Sequence, residues 1–382
     1  MSETFFQTKL PNTGLSIFSK MSALANEEKA INLSQGFPNF DCDAELTNLV
    51  HKYMMEGKNQ YAPMAGCLAL RQAISNKIKK QRNLSIDPEN ELCITAGATQ
   101  ALFTCISALI HPGDEVICID PAYDSYKPAV TLQGGKPVSY QLKGPDFTID
   151  WGELELLLSE KTKLFILNNP HNPLGTVYQE SDLLKLAELA EKYNFFVLGD
   201  EVYEHLIFDD EPHISVLDIK NLRQRSFACY SFGKTFHITG WKIGYCIAPS
   251  YLMDEFKKVH QFNVFSVNTP VQLALADYLE KETWRSLASF FQNKRDLLKD
   301  QLKDSKLDLK PCKGTYFLTV DYSKLSSKKD VDYAVELCKT VGVATIPISV
   351  FFEKPFEEKI LRICFAKTDE VLLQAGERLR QL

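Results

Sequence analysis

Short apolar runs of five to eight residues alternate along much of this 382-residue chain with longer segments of helical periodicity. Examples are KLFILNN (163–169) and FFVLGD (195–200), which flank the amphipathic segment ESDLLKLAELAEKY (180–193). A chain with this order places parallel strands side by side and joins them through helices. Because the runs are apolar at nearly every position, both faces of the sheet must be covered. The alternation therefore predicts an α/β fold with a mostly parallel central sheet flanked by helices.

The same pattern predicts the other elements and a second domain. Further strands are expected at 91–95, 114–120, 225–232 and 243–248, and a helix at 99–110. After about residue 270 the chain changes character, which indicates a smaller α+β domain. Its predicted elements are a long helical stretch at 270–303, strands at 314–322, 342–350 and 360–366, and helices at 330–341 and 368–382. We expect residues 46–275 to form the large domain, and 1–45 together with 276–382 to form the small one.

Composition and charge exclude several classes of function. The chain is 45% hydrophobic and 24% charged, as is ordinary for a globular protein. The formal net charge of −6 offers no basic face for nucleic acid or anionic lipid. No apolar run reaches the roughly 18 residues of a membrane span, and no secretory signal is seen at the N-terminus. The ten cysteines include no CxxC pair, so we expect reduced core cysteines, no metal site and a cytoplasmic location.

Polar residues follow the predicted strands at the point where each strand ends. In open α/β sheets, ligands bind at the carboxyl ends of the strands, so these loops are the candidate site. The loops are TAGATQ (95–100), DPAYDSY (120–126), NNPHNPLG (168–175), GDEVYEH (199–205) and SFGKTF (231–236).

Four interpretations compete for Lys234, the one lysine of SFGKTF. Gly233-Lys234-Thr235 fits the end of a phosphate-binding P-loop, but the glycine that this motif needs earlier is replaced by Ala228. Ser231 and Lys234 have the Ser-x-x-Lys spacing of penicillin-interacting enzymes, but the partner motifs Ser-Asp-Asn and Lys-Thr-Gly are missing. A solvated surface lysine is the default for an isolated Lys. A lysine that holds the aldehyde of pyridoxal phosphate is favoured, because the other loops supply what that cofactor needs.

Pyridoxal phosphate needs an anion against its pyridine nitrogen, donors to its phenolic oxygen and a ring to stack on. Asp200 ends an apolar strand, where a carboxylate needs a partner; a helix N-cap is the alternative. Tyr203 and Asn172 could both reach the phenolic oxygen, although Asn-Pro sequences also form turns without a ligand. Tyr123 offers a flat ring.

A phosphate cup is predicted between the strand and the helix that enclose TAGATQ. Backbone N–H groups at a helix N-terminus, with a hydroxyl, bind phosphate well, although an ordinary small-residue turn has the same sequence. Ser231 and Lys242 would add a hydroxyl and a positive charge. The predicted cup consists of Gly97, Ala98, Thr99, Ser231 and Lys242.

Together these motifs closely resemble those of the class I, fold type I, pyridoxal-phosphate aminotransferases. The resemblance covers nearly the whole chain and follows the family's order: INLSQGFPNF, NQYAPMAG, TAGATQALF, DPAYDSY, NNPHNPLG, DEVYEH, SFGKTFHITGWKIGY and LRICFAK. Within the family, LSQGFPNF, GKTF, TGWKIGY and CFAK are similar to the kynurenine aminotransferase/glutamine transaminase K branch. The overall pattern is most similar to the bacterial methionine aminotransferases of that branch. The implied fold is the type I fold of pyridoxal-phosphate-dependent transferases.

The resemblance implies a role for each cofactor residue. Lys234 would hold the cofactor's aldehyde and later shuttle a proton, and Asp200 would pair with the pyridine nitrogen. Tyr203 and Asn172 would contact the phenolic oxygen, and Tyr123 would stack on the ring. The residues of the predicted cup would hold the phosphate. The cationic position in the cup is Arg in much of the family, whereas a lysine is a point charge rather than a fork.

The resemblance also implies a homodimer with shared active sites, because Tyr61 would reach the phosphate bound by the neighbouring subunit. Arg362 would hold the substrate α-carboxylate with Asn172 beside it; taken alone, LRICFA also fits a strand with one exposed arginine.

The substrate pocket is less strongly constrained. Gly36 would let the backbone approach the substrate. Phe18, and Phe265 of the partner subunit, would line the side-chain pocket, although packing alone also explains both. Thr99 and Phe18 stand where relatives have other residues, which leaves the pocket size open.

The implied reaction is amino transfer between amino acids and 2-oxo acids by a ping-pong mechanism. An aromatic pocket without a second assignable arginine favours sulfur-containing and aromatic side chains over aspartate. The expected donors are methionine first, then phenylalanine, tyrosine, histidine, glutamine and kynurenine. The preferred acceptor, the pathway and any closure of the N-terminal segment stay open. Two alternatives are a cysteine-S-conjugate β-lyase at the same site and a cofactor-responsive transcription regulator.

Overall fold

The structure is a computed structural model that describes residues 8–11 and 13–382. Its strands are β1 (Ile31–Asn32), β2 (Leu92–Thr95), β3 (Glu115–Asp120), β4 (Lys136–Gln141), β5 (Thr162–Asn168), β6 (Phe196–Asp200), β7 (Ser226–Ser231), β8 (Gly244–Ile247), β9 (Asp308–Leu309), β10 (Phe317–Asp321), β11 (Val343–Ala344), β12 (Ile346–Pro347) and β13 (Ile360–Cys364).

Helices surround these strands. They are α1 (Ile17–Glu27), α2 (Ala44–Met55), α3 (Leu68–Arg82), α4 (Ala98–Leu109), α5 (Tyr126–Leu132), α6 (Trp151–Glu155), α7 (Glu180–Tyr193), α8 (Lys220–Arg223), α9 (Phe232–Thr235), α10 (Ser250–Asn263), α11 (Thr269–Leu279), α12 (Leu287–Leu302), α13 (Asp330–Thr340) and α14 (Asp369–Arg380). Short 3-10 helices lie at Thr239–Trp241, Thr283–Ser286 and Ser349–Phe351. In the described part of the chain, no helix combines the length and the apolarity needed to cross a membrane.

The central sheet has seven strands in the order β2-β8-β7-β6-β5-β3-β4. Neighbouring strands run parallel, except that β8 is antiparallel to both β2 and β7. Successive side chains of each strand enter opposite apolar layers: in β5, Leu164 and Ile166 join one buried cluster, and Phe165 and Leu167 join the other. Both faces are therefore covered, and the predicted α/β fold with a mostly parallel sheet is confirmed.

Two smaller sheets belong to the rest of the chain. One is antiparallel, in the order β12-β13-β10-β9. The other joins β1 to β11 in parallel, so the N-terminal segment pairs with a strand near the C-terminus. This pairing agrees with an N-terminal segment that belongs to the small domain, while the boundaries at 46 and 275 stay a prediction.

Most predicted elements lie within a few residues of the observed ones, and two predictions are wrong. The single strand expected at 342–350 is two strands in different sheets: β11 pairs with β1, and β12 pairs with β13. The helical stretch expected at 270–303 is interrupted after α11, where Glu282 has a φ of 52° and a 3-10 helix follows. The edge strand β4 was not predicted, because its residues are mostly only partly buried and its apolar signal is correspondingly weak.

Candidate active site

A cavity of about 340 Å³ lies where β2, β5, β6 and β7 end. It occupies the position at the carboxyl ends of the strands where open α/β sheets bind ligands. Every predicted site residue lines it except Tyr61 and Phe265. The predicted residues in its wall are Phe18, Gly36, Gly97, Ala98, Thr99, Tyr123, Asn172, Asp200, Tyr203, Ser231, Lys234, Lys242 and Arg362.

Lys234 lies on α9, the short helix that follows β7. Its Nζ donates to the carbonyl oxygen of Gly36 at 3.0 Å and to the hydroxyl of Tyr316 at 2.6 Å. Burial lowers the pKa of Lys234 to about 8, and the positive charges of Arg362 and Lys242 act in the same direction. The amine is therefore not a fully solvated surface group, it forms no ion pair with any described residue, and a minor fraction of it is uncharged near neutral pH.

Asp200 ends β6 with its side chain buried, 4% of the residue being exposed. The Tyr126 hydroxyl donates to one carboxylate oxygen, and the backbone N–H of Val202 donates to the other at 3.4 Å. Burial raises the pKa of Asp200 to about 6, against the smaller opposing effect of Tyr126. A turn rather than a helix follows β6, so the helix N-cap alternative does not hold.

Arg362 lies in β13 with 1% of its surface exposed, so the alternative of an exposed strand arginine is wrong. Its Nη1 donates to Oδ1 of Asn172 at 3.0 Å and its Nη2 to the carbonyl oxygen of Ser34 at 3.2 Å. The guanidinium stacks 3.9 Å from the ring centre of Phe317, and Nε is buried without a partner in the described structure. Burial lowers the pKa of Arg362 to about 10. A buried cation with a free donor is suited to a ligand carboxylate.

The residues of the predicted phosphate cup all line this cavity, at or near the start of α4. Gly97 precedes this helix with a φ of 77°, and no side chain caps the helix N–H groups. A Cβ atom at Gly97 would lie 3.4 Å from the Lys242 ammonium nitrogen, so the lysine stands directly beside the helix start. The Ser231 hydroxyl accepts a hydrogen bond from the Lys234 N–H at 3.3 Å, which leaves its own hydrogen free to donate. The helix N–H groups, the Lys242 ammonium group and the Ser231 hydroxyl therefore all border the same cavity.

Tyr61 and Phe265 lie together on the surface, away from this cavity. Tyr61 is 83% exposed and Phe265 is 47% exposed, and their rings meet edge-on with centres 5.4 Å apart. Their predicted action in a neighbouring subunit's site stays a prediction.

Three aromatic residues that contact the site were not predicted from the sequence. Tyr126 ends the strand-end loop DPAYDSY and donates to Asp200, so its place in that loop is the signal that could have identified it. Tyr316 contacts Lys234, and Phe317, which lines the cavity, contacts Arg362. No local pattern signals either contact, because their partners lie 82 and 45 positions away in the chain.

Known proteins resemble this chain over nearly its whole length. The family model for aminotransferase class I and II matches residues 28–379. The chain belongs to this family. It is 50% identical to the methionine aminotransferase of Escherichia coli K12, with 98% of each chain covered. It is 34% identical to the kynurenine–oxoglutarate transaminase of Dictyostelium discoideum, with 100% of this chain and 98% of the relative covered.

Solved structures agree with this assignment. A crystal structure that identifies a methionine aminotransferase function in an Escherichia coli protein superposes with a TM-score of 0.97 at 50% identity, covering 99% of this chain and 100% of the other. The predicted fold type I architecture is confirmed, and the protein is a pyridoxal-phosphate-dependent aminotransferase. These comparisons give no support to the β-lyase alternative.

Proposed function

We propose that this aminotransferase moves the amino group of methionine, and of other sulfur-containing, aromatic and large neutral amino acids, to a 2-oxo acid by a ping-pong mechanism. The observation that carries the proposal is the cavity itself: a buried arginine with a free donor and a half-buried lysine line it together with aromatic side chains. The names of the Escherichia coli and Dictyostelium relatives point to methionine and kynurenine as donors.

The donor set of the cavity fits pyridoxal phosphate. Asp200 is a buried carboxylate whose charge a protonated pyridine nitrogen would stabilise. Nδ2 of Asn172 and the Tyr203 hydroxyl would donate hydrogen bonds to the phenolic oxygen. Nδ2 is the atom of Asn172 left for this, because Oδ1 already accepts a hydrogen bond from Arg362. Tyr123 would cover the ring and Lys234 would bind the aldehyde. The residues of the cup would hold the phosphate: Gly97, Ala98, Thr99, Ser231 and Lys242. When bound, the cofactor supplies an electron sink for the charge left on the substrate α-carbon.

The chain's own residues then bind the substrate and move its proton. Arg362 pairs with the α-carboxylate, and its contacts with Asn172 and Ser34 fix the plane of the guanidinium. The Lys234 amine takes the α-proton. With a pKa of about 8, about one amine in ten is neutral at pH 7, whereas an ordinary lysine would be almost fully charged.

The aromatic residues around Arg362 favour substrates with apolar or aromatic side chains. Phe18, Phe317 and Phe351 surround the Arg362 guanidinium, with ring centres 5.2, 3.9 and 5.6 Å from it. Of the described residues that line the cavity, Arg362 is the only arginine. A substrate with a second carboxylate would therefore have to bury that charge without an arginine partner.

We also infer a homodimer and a cytoplasmic location. The exposed pair of Tyr61 and Phe265 supports a second subunit at that surface, because exposed aromatic pairs favour contact. All ten cysteines are free and nine of them are buried, as expected in a reducing compartment.

The absorbance spectrum of the purified protein tests the cofactor and its lysine. We expect a band at about 420 nm that methionine converts to one at about 330 nm. Lys234→Ala should abolish turnover, while Lys79→Ala, at an exposed position of α3, should leave it unchanged. Multiple turnovers by Lys234→Ala would contradict the assigned role.

Initial rates with a common 2-oxo acid test the donor preference. We expect kcat/KM for methionine to exceed that for aspartate by at least about tenfold, because the second carboxylate lacks a partner. Glutamine and phenylalanine should fall between the two. Equal kcat/KM values for aspartate and methionine would overturn the donor ranking but leave amino transfer intact.

A further inference from the structure

The Lys234 amine is held by two groups from distant parts of the chain. Its Nζ donates to the Tyr316 hydroxyl at 2.6 Å and to the Gly36 carbonyl oxygen at 3.0 Å. The Tyr316 hydroxyl donates in turn to the same carbonyl oxygen. The three polar atoms thus form a closed triangle that joins α9, the N-terminal segment and the residue directly before β10.

The hydrogen count of this triangle determines how Lys234 is oriented. A phenol hydroxyl carries one hydrogen, and Tyr316 donates it to the Gly36 carbonyl oxygen. The hydroxyl can therefore only accept a hydrogen bond from Lys234. A neutral amine has two hydrogens, and one goes to each acceptor. Its lone pair must then lie in the fourth tetrahedral direction. In the ammonium form, the third hydrogen takes that same direction.

Tyr316 is itself rigidly placed and keeps its proton. It is fully buried, and its ring packs edge-on against Tyr203 and Phe317, with centres 5.2 and 4.8 Å away. Burial raises the pKa of Tyr316 well above its usual value, so the phenol is a fixed acceptor and not a base.

We propose that Tyr316 is a positioning residue for the proton transfer, which aims the reactive direction of the Lys234 nitrogen at the substrate α-carbon. This rests on the proposed function. In the step concerned, the α C–H bond breaks, the proton bonds to Nζ and the electron pair stays on the substrate side. Without the hydroxyl, Nζ keeps a single fixed acceptor, Gly36, and the nitrogen can rotate away from the substrate.

Tyr316→Phe tests the proposal, with Tyr322→Phe as the matched control. Tyr322 is equally buried, and its hydroxyl also donates to a backbone carbonyl oxygen, that of Lys328 at 2.9 Å, but it accepts no hydrogen bond from Lys234. For Tyr316→Phe we expect kcat with methionine to fall by about tenfold or more, with KM changed less than about twofold. The rate ratio between ordinary and α-deuterated methionine should rise, because proton transfer becomes the slower step. Tyr322→Phe should match the wild type in all three quantities.

The cofactor-free protein gives a readout that does not depend on activity. The pH dependence of Lys234 labelling by an amine reagent, followed by mass spectrometry of its peptide, reports the pKa of the amine. We expect a midpoint at about 8 in the wild type. In Tyr316→Phe it should fall by about one pH unit, because the ammonium form loses an acceptor.

The outcomes separate this inference from the proposed function. If the wild type neither binds the cofactor nor transfers amino groups, the proposed function fails. If the wild type is active but Tyr316→Phe equals Tyr322→Phe in kcat, isotope ratio and labelling midpoint, the positioning role is overturned while the function stands. Loss of folding by Tyr316→Phe alone would also overturn it, by showing that the hydroxyl acts in stability.

Discussion

Asp200 and Lys234 both lie where burial disfavours the charged form of the side chain. Burial raises the pKa of Asp200 to about 6 and lowers that of Lys234 to about 8, so both values move toward neutrality. Such shifts in one cavity mark sites of proton transfer, although ion-pair networks can also produce them. Here each side chain faces the same cavity of about 340 Å³, which leaves room for a ligand that would compensate the carboxylate.

Burial of the charged Asp200 carboxylate costs free energy, and the stability of the cofactor-free protein should show this cost. The folded-state pKa of about 6 exceeds the ordinary value of 3.8, so between these values the folded state binds more protons and stability falls as pH rises. Asp200→Asn removes the charge and keeps an acceptor for Tyr126. We expect its free energy of unfolding to exceed that of the wild type by up to about 3 kcal/mol at pH 7.5, and to match it near pH 4.

Urea unfolding of the cofactor-free proteins at both pH values measures this difference. Asp304→Asn, at an exposed position, serves as the control and should match the wild type throughout. A stability difference between Asp200→Asn and the wild type that did not change with pH would show that the carboxylate is not the titrating cause. Amino transfer by Asp200→Asn should still fall at least about 100-fold, since the pyridine nitrogen loses its anion.

Single residues were predictable where they end a strand or lie within a few residues after it. Asp200, Asn172 and Gly97 could be placed because strand ends converge at one edge of a parallel sheet. Tyr316 could not, because its contact with Lys234 depends on how β10 packs against the central sheet.

Elements followed hydrophobic periodicity closely. The helix expected at 180–193 is α7 to the residue, bounded by a capping box between Gln179 and Asp182 and by the left-handed Asn194. The six strands predicted for the central sheet differ from the observed ones by at most one residue at either end. By contrast, the segment 342–350 forms two strands because each pairs with a different strand, β11 with β1 and β12 with β13. The pairing partner of a strand cannot be read from its local sequence.

The loop before α3 gives a prediction at the scale of elements. Gly66 has a φ of 100°, and a Cβ atom there would lie 2.2 Å from Cγ1 of Ile94 on β2. Gly66→Ala should therefore lower the free energy of unfolding by about 3 kcal/mol, through backbone strain and overpacking together. Denaturant unfolding measures it.

Gly57→Ala separates the two causes. Gly57 has a φ of 76° with nothing within 4 Å of the added Cβ, so only the strain of about 1 kcal/mol applies. Equal losses in the two variants would show that α3 and β2 are not packed tightly at Gly66.

At the scale of the whole molecule, the proposed dimer makes each site depend on two chains. Tyr61 would act in the site of the neighbouring subunit, whereas Lys234 would act in the site of its own subunit. A mixture of Lys234→Ala and Tyr61→Ala subunits, unfolded and refolded together, should recover about a quarter of wild-type activity, because half the dimers are hybrids with one intact site of two. Activity before and after mixing measures this recovery.

A second mixture controls for simple reactivation. Lys234→Ala with Asp200→Asn places one lesion in each site of the hybrid, so no activity should return. Recovery in both mixtures, or in neither, would contradict a site shared through Tyr61. Sedimentation of the wild type should give twice the chain mass.

The sequence by itself determined the α/β architecture, the strand-end loops and the chemical identity of most site residues. It could do so because alternation and periodicity are local, and because parallel strands bring their ends to one edge. Only the tertiary structure decided that Arg362 is buried on Phe317, that Tyr126 holds Asp200 and that Tyr316 and Gly36 hold Lys234. These contacts join β13 to β10, α5 to β6, and α9 to both the N-terminal segment and the residue before β10. Their geometry depends on packing between elements that no short stretch of sequence specifies.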